Sequence, residues 1–318
     1  MTIRTTSAAT PTLLLGVPLD LGAENLGVDI GPNAFRYQDI VKKLTVAGLA
    51  IHDGGNITCK SRNEAAVGDN PRLKYLTEII AISEATASRV DRAIQAGNKA
   101  VLIGGDHSIT LGGFTGASTA VKGDIGMIYF DAHGDMNTDA TTLSGNIHGM
   151  HLASLMGFGA PELVNVYNPA VKLQKANLLH IGGSDWDQAE LDLIANENLQ
   201  AFTLFNLLTQ GMGPLIAKID ELSSRVNNIY ISLDLDCIDK IYAPGAGMPN
   251  AKGLTYREIA VIAEYIGQHC NVIGVDVVEY NPLQDEQNKT AELGIELIAR
   301  FFGKNYSWYA NYMAKNKV

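Results

Sequence analysis

Short, nearly unbroken apolar runs alternate along the chain with longer stretches in which apolar residues recur at helical spacing. The runs fall at 13–17, 100–103, 125–130, 178–181, 229–235 and 272–278. A strand covered on one face alternates apolar with polar residues. A continuous apolar run suits a strand buried on both faces, as in a parallel sheet between two helical layers. The longer stretches lie at 73–96, 256–266 and 291–302, and in the first Ile79, Ile80, Ile82, Val90 and Ile94 repeat along one face. This alternation predicts an α/β chain: a three-layer α/β/α fold around a doubly wound, mainly parallel sheet. No linker rich in Pro, Gly and Ser and no long repeat interrupts the pattern, so 1–318 reads as one domain. The polar stretch 1–12, with Arg4 as its one charged side chain, is expected to be a flexible start, and 306–318 a C-terminal tail available for contacts.

Composition removes several classes. Hydrophobic residues make up 46 % and charged residues 18 %, which excludes a disordered chain. No uncharged apolar run is long enough to span a bilayer, so no membrane partner is expected. The net charge of −10 argues against a nucleic-acid partner, which calls for clustered Lys and Arg, and is compatible with a cationic ligand. Three widely spaced cysteines, Cys59, Cys237 and Cys270, do not form a disulfide framework and point to a reducing, cytoplasmic setting.

The informative polar residues stand where the apolar runs end, at the carboxyl edge where open parallel sheets bind ligands. Gly104-Gly105-Asp106-His107-Ser108 follows one run, Asp131-Ala132-His133-Gly134-Asp135 another, Asp234-Leu235-Asp236 a third, and Glu279 a fourth. On extended chain, Asp131 and His133 share a side, as do Asp234 and Asp236. Asp131, Asp135, Asp234 and Asp236 abut apolar strands and need positive charge. Lys and Arg are scarce there, so metal is the simplest answer. Six side chains (His107, Asp131, His133, Asp135, Asp234 and Asp236) supply enough ligands for two ions, and an oxygen-rich set with imidazole suits two Mn²⁺ sharing a bridging hydroxide. Cys237 is left out because it should point away from Asp236. His52, His151, His180 and His269 have no comparable sequence neighbours and are read as structural.

These three motifs, with Ser232-Leu233-Asp234-Leu235-Asp236 as the third, resemble the signatures of the ureohydrolases, the family of arginase, agmatinase and formimidoylglutamase. The resemblance runs from Leu15-Gly16-Val17-Pro18 to the region of Glu279. It is most similar to bacterial-type arginases through Ser144-Gly145-Asn146-Ile147-His148-Gly149-Met150. The resemblance implies hydrolysis of the guanidinium of L-arginine to urea and ornithine. It implies proton transfer by His148, orientation of the guanidinium by Glu279, and Asp135 among the residues serving both metal and catalysis. Asn137 and Ser144 match contacts to the α-carboxylate, Asp187 and Glu190 contacts on the α-amino side. A homo-oligomer, trimer or hexamer, is also implied.

Four positions depart from the arginase pattern: Ser184 for Arg, Lys240 for Pro, Met248 for Thr and Asn25 for Arg. None is a proposed metal ligand, so the departures bear on the substrate. The alternatives are agmatine, formimidoylglutamate or another guanidino acid, with Asn137 and Ser144 favouring an α-carboxylate over agmatine.

Overall fold

The computed structural model describes residues 10–306. Eight strands build one sheet: β1 (Pro11–Val17), β2 (Ala50–Asn56), β3 (Lys99–Gly104), β4 (Gly126–Asp131), β5 (Leu178–Gly182), β6 (Ala201–Thr203), β7 (Ile229–Asp234) and β8 (Val272–Val278). Their order is β2-β1-β3-β8-β7-β4-β5-β6, and every neighbouring pair is parallel. Six are the strands the apolar runs predict. The other two are the edges. All of β2 is exposed or half-buried, and β6 spans three residues. An edge strand pairs on one side only and covers little core, so neither carries an apolar run.

Residue alternation sorts the core into two layers. Leu14, Val101, Ile103, Ile128, Phe130, Ile231 and Leu233 face helices Gly31–Tyr37, Met212–Arg225, Tyr256–His269 and Lys289–Phe301. Their strand neighbours Leu13, Leu15, Ala100, Leu102, Met127, Tyr129 and Tyr230 face helices Leu76–Gln95, Ile109–Ala120 and His151–Leu155. Both faces of each central strand are therefore buried, which is why their sequences read as unbroken apolar runs.

The expected loose start is corrected. Strand β1 begins at Pro11, and Thr12 is buried, with Ile51 and Lys99 as its flanking partners. Threonine is polar in composition yet fits a pleated, paired strand, and that hid the strand's first turn of chain. Tyr306, the first residue of the expected tail, is buried. The rest of both segments, 1–9 and 307–318, lies outside the described residues.

The order places β3, β8, β7 and β4 side by side at the centre. Register pairs Ile103 with Val277, Asp234 with Val278, and Leu233 with Phe130, so the four carboxyl ends are flush. The four polar motifs, separated by up to 172 residues in sequence, converge along one edge.

Candidate active site

Each motif leaves its strand by a turn that the motif itself builds. Strand β4 stops at Asp131, whose Oδ1 accepts the His133 backbone N–H at 2.7 Å. Strand β7 stops at Asp234, whose Oδ1 accepts the Asp236 N–H at 2.8 Å. An aspartate bonding the backbone two residues on makes a turn. The pairs Asp131/His133 and Asp234/Asp236 thus converge through paired turns, not through the extended alternation expected from sequence. Asp131 and Gly182 are strand partners, and a Cβ at Gly182, φ 118°, would stand 2.4 Å from the Asp131 carbonyl oxygen.

The six proposed ligands form two groups that share one aspartate. His107 Nδ1 lies 3.0 Å from Asp131 Oδ2, 3.2 Å from Asp135 Oδ2 and 3.1 Å from Asp234 Oδ2. His133 Nδ1 lies 3.0 Å from Asp236 Oδ2 and 3.4 Å from Asp131 Oδ1. Asp131 is wholly buried and turns one oxygen to each group. Among the described residues, the ion-pair partners of these four carboxylates are imidazoles, with no lysine or arginine. Four buried carboxylates balanced by two ligand histidines leave a shortage of positive charge that two divalent cations would meet. The donor set, oxygen-rich with imidazole, fits such ions.

The electrostatics carry the same message. Burial opposes charge on His107, but its contacts with Asp131, Asp135 and Asp234 hold its pKa well above the usual histidine value. Burial also opposes His133, whose bonds to Asp131 and Asp236 prevail and raise it. Asp234 is pushed well up, by burial and then by Asp236, and Asp236 reaches about 6 through burial and Asp131. Without metal, the cluster retains protons.

His107 is aimed by a buried chain absent from the sequence reading. Ser232 Oγ donates to Asp276 Oδ1 at 2.7 Å, and His107 Nε2 is 2.9 Å from Ser232 Oγ. Because Ser232 spends its proton on Asp276, it accepts from Nε2–H, which leaves Nδ1 as the ring nitrogen that faces the carboxylates. Tyr230 and Thr110 also donate to Asp276 Oδ2, at 2.9 and 3.0 Å. An aspartate inside the otherwise apolar β8 was the available signal.

Glu279 follows β8 with φ 60° and Asp135 has φ 51°, both in the left-handed region that a side chain disfavours. Local strain of this kind persists where the surroundings fix it. Glu279 Oε1 accepts the His107 N–H at 3.0 Å and meets His148 Nδ1 at 3.3 Å. Gly247 donates its N–H to the Glu279 carbonyl at 2.7 Å, and a Cβ on Gly247 would stand 2.4 Å from Glu279 Oε2. Burial opposes charge on His148, but Glu279 raises its pKa to about 9. A cavity opens here, lined by His133, Asp135, His148, Asp234, Asp236, Met248 and Glu279.

The remaining predicted residues stand farther out. Asn137 Nδ2 donates to Asp187 Oδ2 at 2.7 Å. Asp187 caps helix Gln188–Glu197 in a reciprocal capping box with Glu190. Glu190 is buried and also accepts the Met136 N–H at 3.2 Å. Burial, then Asp135, raises its pKa to about 7. Ser144 is exposed, its Oγ accepting the Asn146 N–H at 3.2 Å. Of the departures, Met248 lines the cavity, Ser184 accepts from Asn250 Nδ2 at 2.8 Å, Asn25 Nδ2 donates to the Gly247 carbonyl at 3.3 Å, and Lys240 is exposed.

Cys237 is buried in the apolar layer, away from the cluster, as expected. His151 is a correction. Read as structural for want of sequence neighbours, it stands with its Nδ1 3.7 Å from Asp135 Oδ2 and its ring centroid 4.5 Å from that of His107. The turn Ile147–Met150 brings it there, a tertiary contact that sequence spacing does not reveal.

Two imidazole–carboxylate groups sharing an aspartate, at the carboxyl edge of a parallel sheet, bring together the three motifs that resemble those of the ureohydrolases. A profile of the Arginase family matches residues 10–303. An arginase from Brevibacillus brevis is 39 % identical over 293 residues, covering 91 % of this chain and 97 % of that one. An arginase from Bacillus caldovelox is 35 % identical over 295 residues, covering 92 % and 98 %. The solved structure of native Bacillus caldovelox arginase superposes with a TM-score of 0.89 at 35 % identity, covering 94 % of this chain and all of that one. The chain belongs to the arginase family and is a ureohydrolase. The family implies a binuclear divalent metal site, and the two groups around Asp131 have the residues for one.

Proposed function

We propose that this protein hydrolyses the guanidinium of L-arginine to urea and L-ornithine with two Mn²⁺ ions. The observation that carries this reading is the seating of Glu279 and His148 together on the cavity that the two metal-capable groups also line. His107, Asp131, Asp135 and Asp234 would hold one ion, and Asp131, His133 and Asp236 the other. When bound, the ions lower the pKa of water enough to give a nucleophile at neutral pH.

The protein's own groups supply the rest. A guanidinium is planar and cationic, and its resonance makes the carbon a poor electrophile. Glu279 offers a carboxylate to pair with that cation and fix its carbon, which is a proximity effect. Its strained backbone and two hydrogen-bond donors hold it ready. Glu279 raises the pKa of His148 to about 9, which favours its protonated form. Its Nδ1 is committed to Glu279, leaving Nε2 to protonate the leaving amine. Asn137 and Ser144 are assigned to the α-carboxylate. Asp187 is assigned to the α-amino group, with Glu190 acting by fixing Asp187 through the capping box.

The whole chain, 1–318, is taken as one catalytic domain. Its three cysteines are unpaired, in keeping with the cytoplasm, and no described helix is long and apolar enough to cross a membrane. The resemblance favours a trimer or hexamer. Met248 on the cavity wall is the reason to test other substrates. The deciding experiment loads the purified protein with Mn²⁺ and measures urea release from L-arginine, agmatine and a panel of guanidino acids, with ammonia or formamide release read for formimidoylglutamate. Turnover is expected to be greatest with L-arginine. No urea from it, with turnover of another compound, replaces the substrate.

A further inference from the structure

Tyr129 lies two residues before Asp131 on β4, so alternation turns both side chains to the same face. Its ring stacks on His107, with centroids 4.8 Å apart and planes 3° from parallel. Its hydroxyl oxygen stands 2.9 Å from Asp131 Oδ2, 2.9 Å from Asp135 Oδ2 and 3.1 Å from His107 Nδ1. His107 Nδ1 itself stands 3.0 and 3.2 Å from those two carboxylate oxygens. Ligand atoms about 2.1 Å from one ion stand about 3 Å apart at adjacent vertices of an octahedron. The phenol oxygen therefore has the spacing of a further member of the set.

One phenol proton faces several acceptors, and His151 decides where it goes. His151 Nδ1 is 2.6 Å from the His148 carbonyl oxygen, so Nδ1 carries the hydrogen and Nε2 the lone pair. Nε2 stands 3.3 Å from the Tyr129 hydroxyl. A cation held by His107 Nδ1, Asp131 Oδ2 and Asp135 Oδ2 would take up their lone pairs. His151 Nε2 is the acceptor in reach that lies outside the assigned ligands.

We infer that Tyr129, through its neutral phenol oxygen, is an additional ligand to the cation assigned to His107, Asp131, Asp135 and Asp234. His151 Nε2 accepts the phenol hydrogen and so turns an oxygen lone pair to the ion. No proton is transferred; the O–H bond stays with Tyr129. The inference rests on the two-metal reading above.

Co²⁺ is the probe, titrated into full-length metal-free protein and followed by its visible absorption and by competition with a chelator. Wild type is expected to take up two equivalents. Tyr129→Phe keeps the ring and removes the oxygen. It is expected to alter the spectrum of one equivalent and weaken that equivalent about tenfold or more. His151→Ala is expected to alter the same equivalent less, and it carries the test alone should Tyr129→Phe fail to fold. An unchanged spectrum in the variants overturns the assignment, even if affinity falls, because it puts the phenol outside the coordination sphere. A wild type that binds fewer than two equivalents refutes the two-metal reading instead.

Discussion

The metal-capable cluster and the outer rim of the cavity are built from equally polar residues, yet they are held in opposite ways. Asp131, His107, Asp135 and Asp234 are buried, come from three separate strand ends, and have one another as partners. Asn137, Ser144 and Asp187 are half-buried or exposed, and their bonds run to nearby turns, a helix cap and each other. Local bonding of Asn, Ser and Asp occurs without any ligand, whereas buried unbalanced carboxylates cost several kcal/mol each unless something pays that back. The same residue types are therefore strong evidence of function in one place and weak evidence in the other.

The sharpest break in that contrast is Asp131→Ala. This carboxylate belongs to both groups, so its loss is expected to remove bound metal and lower kcat by about 10³-fold or more. Metal analysis and urea release on the same preparation measure it. Full metal occupancy in the variant would mean that burial alone had been mistaken for ligation.

A second break is by pH. In the metal-free protein His107 and His133 are held above the usual histidine pKa, chiefly by Asp131, Asp135, Asp234 and Asp236 against the effect of burial, while Asp234 and Asp236 are raised by burial. All four shifts favour protons on the metal-free cluster, and cations must displace them. Metal affinity is therefore lowest below pH 6.5 and rises with pH through the neutral range. Two displaced protons give about a hundredfold per pH unit. Calorimetry in buffers of different ionisation enthalpy reads the proton release, and its absence refutes the charge assignment.

How much of this was visible in the chain follows the same divide. The six interior strands were legible because burial on both faces demands continuous apolar runs, and β2 and β6 were not because edges make no such demand. The clustering of Asp131, Asp135, Asp234 and His107 was legible because each stands where a run ends. His151 and Asp276 were not. His151 reaches the cluster only through the fold of the turn Ile147–Met150. Asp276 sits within a strand, where its only signature was a lone charge among valines. Tyr129 was hidden differently, since a tyrosine in an apolar run counts as core until its hydroxyl is located.

The finest test falls on the rim. If Asn137 and Ser144 receive an α-carboxylate, Asn137→Ala and Ser144→Ala should each raise KM for L-arginine about tenfold, the loss of one hydrogen bond to a charged group. kcat should change little, because that contact is made equally in the ground and transition states. Agmatine lacks the carboxylate, so any slow turnover of it should keep its KM in both variants. A local structural role predicts something else. Asn137 accepts from Thr141 Oγ1 at 2.8 Å and donates to Asp187, so loosening that turn would disturb both substrates alike. Equal effects on arginine and agmatine would therefore return Asn137 to a turn-building role, and an effect confined to arginine would make the rim part of the site.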